Sequence, residues 1–148
     1  MSENAIAITV LDPDFTVLRA DDTDASAKDS LFQLFQIEFQ SRKNSSSLLS
    51  LTKTGDSEIS LVLPFNLDDA NLTLQPNIQI ETGWRAFRVA GKLEFSLVGI
   101  LAKISNILAG ISVSLFVIST FDTDFILVKK ESLEKSVAEL SRHGIKST

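Results

Sequence analysis

Cysteine is absent from the 148 residues, which excludes a disulfide framework, a thiolate metal site and a catalytic thiol. Tyrosine is absent as well, and one Trp, one Met and one His stand beside ten Phe. The lone histidine, His143, precedes Gly144 and reads as an exposed residue at a helix C-terminus, with no nucleophile to serve as base. Excess positive charge is also missing. Against 14 Lys and Arg stand 19 Asp and Glu, a net charge of -5, and the sequence pI is near 4.8. The basic residues are scattered, not gathered into a stripe with interleaved aromatics, so no nucleic-acid partner is expected.

Met1 to Val10 lacks the basic region and apolar run of a secretory signal, so a cytoplasmic location is expected. One stretch, Phe95 to Ile118, is apolar enough to raise the question of a membrane span. Lys103 and Asn106 sit near its middle, and a Lys at the bilayer centre costs roughly 3 kcal/mol on insertion scales. Gly110 interrupts the stretch where its periodicity changes, so it reads as a buried helix followed by a buried strand, with no membrane partner.

What is present is an ordinary globular composition: 44% hydrophobic and 22% charged residues predict a packed core, in one compact domain or two small modules. Ala5 to Val10 and Phe15 to Leu18 read as strands separated by Asp12-Pro13-Asp14, a hairpin or a bent strand. Asp21 to Ser30 reads as a loop, followed by a short amphipathic helix on Leu31, Leu34, Phe35 and Phe39 and a polar excursion over Ser41 to Ser47. Leu48 to Thr52 and Ile59 to Leu63 read as paired strands, with Gly55 taking the positive φ of a tight turn. A connection over Asn66 to Pro76 leads to a module boundary near Ile80, giving an N-terminal module over 1–79 and a C-terminal one over 80–148.

The second half is more sharply patterned. Arg85 to Val89 is strand-like, and Ser96 reads as the N-cap of a helix carrying Leu97, Ile100, Leu101, Ile104, Ile107 and Leu108 at helical spacing, stopped by Gly110. Ile111 to Ser119 and Phe125 to Val128 form strands around Phe121-Asp122-Thr123-Asp124. Leu133, Val137 and Leu140 mark a last helix ending at Gly144, with Ile145 opening a short final strand. Strand, helix, two strands, helix, strand is the split βαβ, ferredoxin-like order of an α+β fold. Leu51 to Leu63 echoes Ser119 to Val128 at a spacing of roughly 70 residues, the mark of an internal duplication.

Three segments carry a resemblance: Gly83-Trp84-Arg85, Ser96-Leu97-Val98-Gly99-Ile100-Leu101, and Ile118-Ser119-Thr120-Phe121-Asp122-Thr123-Asp124-Phe125-Ile126-Leu127-Val128. They resemble a tandem ACT-domain family of small stand-alone bacterial and fungal proteins that is similar to the CASTOR arginine sensors, themselves related to the regulatory domains of aspartate kinases. Leu48 to Pro64 is similar to the hairpin of that family's first module. The resemblance implies two ferredoxin-like βαββαβ ACT modules, with antiparallel sheets and helices on one face, the first module degenerate for want of a full first helix. It also implies a regulatory protein, not an enzyme, that binds an amino acid or similar metabolite where modules meet, needs no cofactor and forms a homodimer, with any protein partner unnamed.

Two features give this expectation a physical basis, each with a plainer reading beside it. Backbone N–H groups at the helix start over Ser96 to Ile100, with Val98, Gly99 and Ile100 as donors, attract a carboxylate. The plainer reading is that Ser96 only caps the helix and Gly99 permits close packing. Asp122 and Asp124 are turn formers by composition. The resemblance makes Thr120, Phe121 and Asp124 candidate contacts, with Asp124 meeting an ammonium or guanidinium group, and adds the backbone of Ser112, Val113, Ser114 and Leu115 at a strand start. The family's usual acidic residue is replaced by Ser96, which leaves open an oligomerisation or protein-interaction module with a decayed pocket. Trp84 reads as a packing residue at a module junction or as a cover for a ligand.

Overall fold

The structure, a computed structural model, describes residues 6–41, 47–70, 76–90 and 99–148. The chain divides into two compact units, Asp12–Trp84 and the combination of Met1–Leu11 with Arg85–Thr148.

Numbered from the N-terminus, the first strands are β1 (Ala7–Val10), β2 (Phe15–Asp21), β3 (Ser50–Lys53), β4 (Glu58–Leu63) and β5 (Gln79–Ala90), of which β2, β3, β4 and the first half of β5 belong to the unit over Asp12–Trp84. Its helix α1 spans Ala25–Gln40. The strands run in the spatial order β3, β4, β2, β5, with β2 antiparallel to both β4 and β5 and β3 antiparallel to β4. This is the ferredoxin-like order, with a 3-10 turn at Leu67–Ala70 among the described residues of the second crossover. Alternation along β2 and β4 points Leu18, Ala20, Ile59, Leu61 and Leu63 into one core, and α1 covers it with Ala27 and Leu31. Thr16, fully buried in β2, pins the turn after β4: its hydroxyl donates to the Phe65 carbonyl at 2.8 Å and accepts from the Leu67 N–H at 3.0 Å.

Several sequence expectations change here. The segment Asp21 to Ser30 is a loop only to Asp24, which caps α1 by accepting from the Ala27 N–H at 3.1 Å. The small residues Ala25, Ser26 and Ala27 are the helix's first turn, so the module is not degenerate at its first helix. The tight hairpin turn uses positive φ at Ser57 (67°), not at Gly55. β1 and β2 do not form a hairpin, because β1 pairs with Phe87 to Ala90 of β5 and β2 with Gln79 to Trp84. At Gly83, φ is 77°, and there β5 places an extra residue opposite β2, a bulge that only glycine tolerates easily. The division between the compact units falls along the chain inside β5, between Trp84 and Arg85, whereas the sequence reading puts a boundary near Ile80 and keeps residues 1–11 with the first module.

The other unit holds α2 (Ile100–Ala109), β6 (Phe116–Ser119), β7 (Asp124–Lys129), α3 (Leu133–Arg142) and β8 (Lys146–Ser147). β6 pairs antiparallel with β7, β7 pairs with β5, and β1 lies between β5 and β8, antiparallel to the first and parallel to the second. Ile100, Ile104 and Leu108 of α2 and Leu140 of α3 pack with Ile8, Phe87, Val89, Ile126 and Val128 from the strands. The helix spacing read from the sequence therefore describes the buried face. Among the described residues no helix is long and apolar enough to cross a membrane.

Candidate functional site

The predicted contact residues lie in the unit built on α2 and the β6–β7 hairpin. Ser96 and Val98 lie outside the described residues. The N-cap of α2 is Gly99 at φ 90°, three residues later than the expected Ser96 cap, and its carbonyl accepts from the Lys103 N–H at 2.8 Å. A Cβ at Gly99 would meet nothing within 4 Å, so its left-handed backbone, and not close packing, is what favours glycine. Ile100 is buried together with Val113, and Leu115 packs against the same cluster.

Ser112 to Leu115 is not the start of a strand. The N–H groups of Ile111, Ser112 and Val113 turn back to carbonyls at the end of α2, Ser112 takes a positive φ of 59°, and β6 begins only at Phe116. Glycine at 110 lets the helix end without a bulky side chain, and the apolar run was read as strand because buried turn and buried strand share its composition.

Thr120, Phe121 and Asp124 belong to the β6–β7 turn. Asp124 stands opposite Ser119 in register, and the Ser119 hydroxyl donates to its carboxylate. The Thr120 hydroxyl closes the turn with two bonds to Thr123, accepting from the Thr123 N–H at 3.2 Å and donating to its carbonyl at 3.1 Å, and the Thr120 N–H donates to the same carbonyl at 2.8 Å. Thr123 in turn donates to the Val89 carbonyl at 2.8 Å, which ties the turn to β5. Phe121 is fully exposed at the tip.

A different place, in the unit over Asp12–Trp84, has the concavity of a binding site. Lys28, Asp29 and Phe32 share a face of α1 at three- and four-residue spacing. Across from them Leu51 and Lys53 share a face of β3, and Ile59 of β4 stands directly opposite Lys53 in register. With Asp22 they line a cleft of about 340 Å3. That lies at the small end of the roughly 300–1,000 Å3 typical of ligand pockets.

Asp22 holds the cleft's charges together, 3.7 Å from Lys28 and 3.4 Å from Lys53. Its N–H donates to the Ser57 carbonyl at 2.7 Å, so the loop before α1 is fastened to the β3–β4 turn. Neighbouring carboxylates shape the same loop. Asp21 sits below its ordinary pKa chiefly because the Thr23 hydroxyl donates to it, with help from the Thr23 N–H. Asp24 is lowered first by the Asn77 amide at 2.7 Å and then by the Ala27 N–H. Among the described residues no three acidic or histidine side chains are grouped to hold a metal ion.

Sequence reasoning missed this cleft. Lys28 fell in the presumed loop, and nothing along the chain links it to Lys53. The available signal was Asp24 followed by small residues and then Leu31, a capped helix start that brings Lys28, Asp29 and Phe32 onto one face.

Against families of known proteins, one segment of the chain has a match. Residues 79–142 match the ACT domain. The fold of the chain is the ferredoxin-like fold of ACT domains, and solved structures repeat it over almost the full length. An Agobacterium tumefaciens protein, Atu0741, is 24% identical with a TM-score of 0.71, covering 97% of this chain and 92% of its own. The regulatory subunit of aspartate kinase from Thermus thermophilus, 11% identical, has a TM-score of 0.58 over 93% of this chain and 94% of its own. An aspartate kinase from Clostridium acetobutylicum, 15% identical, has a TM-score of 0.61 over 94% of this chain but 34% of its own. Among curated proteins no sequence matches. The ACT match begins at the first residue of β5 and leaves out β1, which the ACT-domain unit nonetheless contains.

Proposed function

We propose that this chain is a regulatory protein that binds an amino acid or a similar small metabolite and catalyses no reaction. The observation that carries the reading is the α1–β3 cleft, which is metabolite-sized and offers both signs of charge beside an apolar floor. The ACT match and the likeness to regulatory subunits of aspartate kinases support a regulatory role. The cleft has no nucleophile–base pair, and its Lys–Asp contacts are the kind that exchange with a ligand's own charges.

A second candidate contact set, in the ACT-domain unit, takes Gly99 and Ile100 at the α2 start, the turn Ser112 to Leu115, and Thr120, Phe121 and Asp124 of the hairpin; the candidates Ser96 and Val98 lie outside the described residues. It is supported by the match of residues 79–142 to the ACT domain. A homodimer is favoured by exposed Phe32, Ile37 and Phe39 on α1. Thermal unfolding of the full chain against the twenty amino acids tests the function. A ligand at 100 times its dissociation constant adds about 2.7 kcal/mol and raises the midpoint visibly, whereas a flat panel rejects the reading.

A further inference from the structure

We infer that the α1–β3 cleft selects amino acids that are zwitterions with an uncharged aliphatic or aromatic side chain. The inference rests on the proposed function and goes further by naming the ligand class.

Charge balance comes first. The cleft carries two ammonium groups, Lys28 and Lys53, and two carboxylates, Asp22 and Asp29. Asp22 bridges both lysines at 3.7 and 3.4 Å while its side chain is 25% exposed, and Lys53 is 65% exposed. Ion pairs this open to water are individually weak, so a ligand can replace them at little cost. A zwitterion replaces them in kind: its carboxylate takes a lysine and its ammonium takes the aspartate that lysine releases. Every charge stays paired. A dicarboxylate or a dibasic amino acid leaves one charge over, and a divalent cation meets two lysines.

The rest of the lining decides where the ligand's side chain goes. Ile59 is 5% exposed at the cleft floor, Leu51 lies two residues from Lys53 on the same strand face, and Phe32 forms the opposite wall while remaining 56% exposed. Covering Phe32 with an apolar side chain removes that surface from water, and a charged side chain placed there loses its hydration without gaining a partner. The volume suits one amino acid and is too small for a nucleotide in addition.

Titration calorimetry on the full chain tests the selection with leucine, phenylalanine, lysine and aspartate, alongside leucinamide and N-acetylleucine, which lack the carboxylate and the ammonium charge respectively. Leucine or phenylalanine is expected to bind about tenfold or more tightly than lysine or aspartate, and each modified leucine to lose about tenfold or more. Asp22→Asn and Lys53→Gln, both partly exposed positions that leave the core intact, are expected to weaken leucine by a similar factor. Lys135→Gln, an exposed position on α3 in the other unit, should leave leucine binding unchanged. If no amino acid binds, the proposed function falls and this inference with it. Binding of lysine or aspartate as tight as that of leucine overturns the selection and leaves the function standing. Leucine binding that ignores both Asp22→Asn and Lys53→Gln overturns the cleft as its location.

Discussion

The two units of the chain solve the same βαββαβ problem with different resources. The unit over Asp12–Trp84 is continuous in sequence and has one long helix, and its second crossover shows only a 3-10 turn among the described residues. The ACT-domain unit has two helices packed on each other and borrows β1 from the N-terminus, seating it between β5 and β8 where a plain ferredoxin-like sheet would pair those two directly. The difference separates stability from function. Among the described residues the unit with two helices packs eleven buried residues in one cluster and exposes Phe121 only at a turn tip, and the other exposes Phe32, Ile37 and Phe39 along its helix, with Phe32 beside a cleft. Apolar surface left in water is retained against a free-energy cost, and a ligand or partner is the usual reason.

The largest expected effects come from breaking each core separately. Leu61→Ala and Ile104→Ala each remove a fully buried side chain, one per unit, and each should cost about 2–5 kcal/mol. Urea unfolding followed by hydrogen exchange checks whether they act alike. If the units are cooperative to the same degree, both variants lower protection throughout. If the units open independently, Leu61→Ala loosens α1, β3 and β4 and leaves α2 and α3 protected.

Next in size is the ligand. Asp124→Asn keeps the turn, whose closure depends on Thr120 and Thr123, and removes the charge that accepts from Ser119. Should a cationic or ammonium-bearing ligand use the ACT-domain unit, calorimetry should show a loss of about ten- to over a hundredfold, the worth of a charge-assisted hydrogen bond. An unchanged affinity makes Asp124 a turn residue only and leaves ligand binding to the α1–β3 cleft.

A smaller effect is expected at Ser57 and Ser112, the left-handed positions outside glycine among the described residues. Ser57→Gly and Ser112→Gly relieve a left-handed backbone, at φ 67° and 59°, and each should stabilise by about 1 kcal/mol, measured as an upward shift of the urea midpoint. Unequal gains would show which unit holds its turn more rigidly.

The smallest concerns pH. Asp21 and Asp24 both have folded pKa values below the ordinary 3.8, so they contribute stability above that value and lose it as the pH falls through their folded pKa. Acid below about pH 4 should therefore loosen the start of α1 first. Exchange of α1 amides, compared between pH 5 and pH 3, checks the order, and Asp24→Asn should make α1 less sensitive to that change.

Much of the fold was legible because it depends on local pattern. Ile100, Ile104 and Leu108, and Leu133, Val137 and Leu140, repeat at helical spacing, and they are the residues that α2 and α3 turn toward the core. The β3–β4 and β6–β7 hairpins were visible as strand, polar turn, strand, and they occupy matching places in the two units. α1 was half legible: Leu31, Leu34 and Phe35 mark its inner face, but the polar first turn hid its start, because cap chemistry at Asp24 resembles loop chemistry. The segment Ile111 to Leu115 was misread because its apolar side chains pack from an irregular backbone.

Local sequence by itself therefore determined the helices, the hairpins and which face of each is apolar, since a period of 3.6 or 2 acts within a few residues. It also settled the chemistry available, with no thiol, no tyrosine and one histidine. Tertiary structure alone decided the partner of β1, which pairs with strands ending 90 and 147 residues into the chain, because strand pairing depends on backbone edges that carry no local signature. It alone decided the cleft, too. Lys28 and Lys53 meet at Asp22 only once α1 lies across β4 and the β3–β4 hairpin folds back, and no spacing along the chain encodes a contact made across that distance.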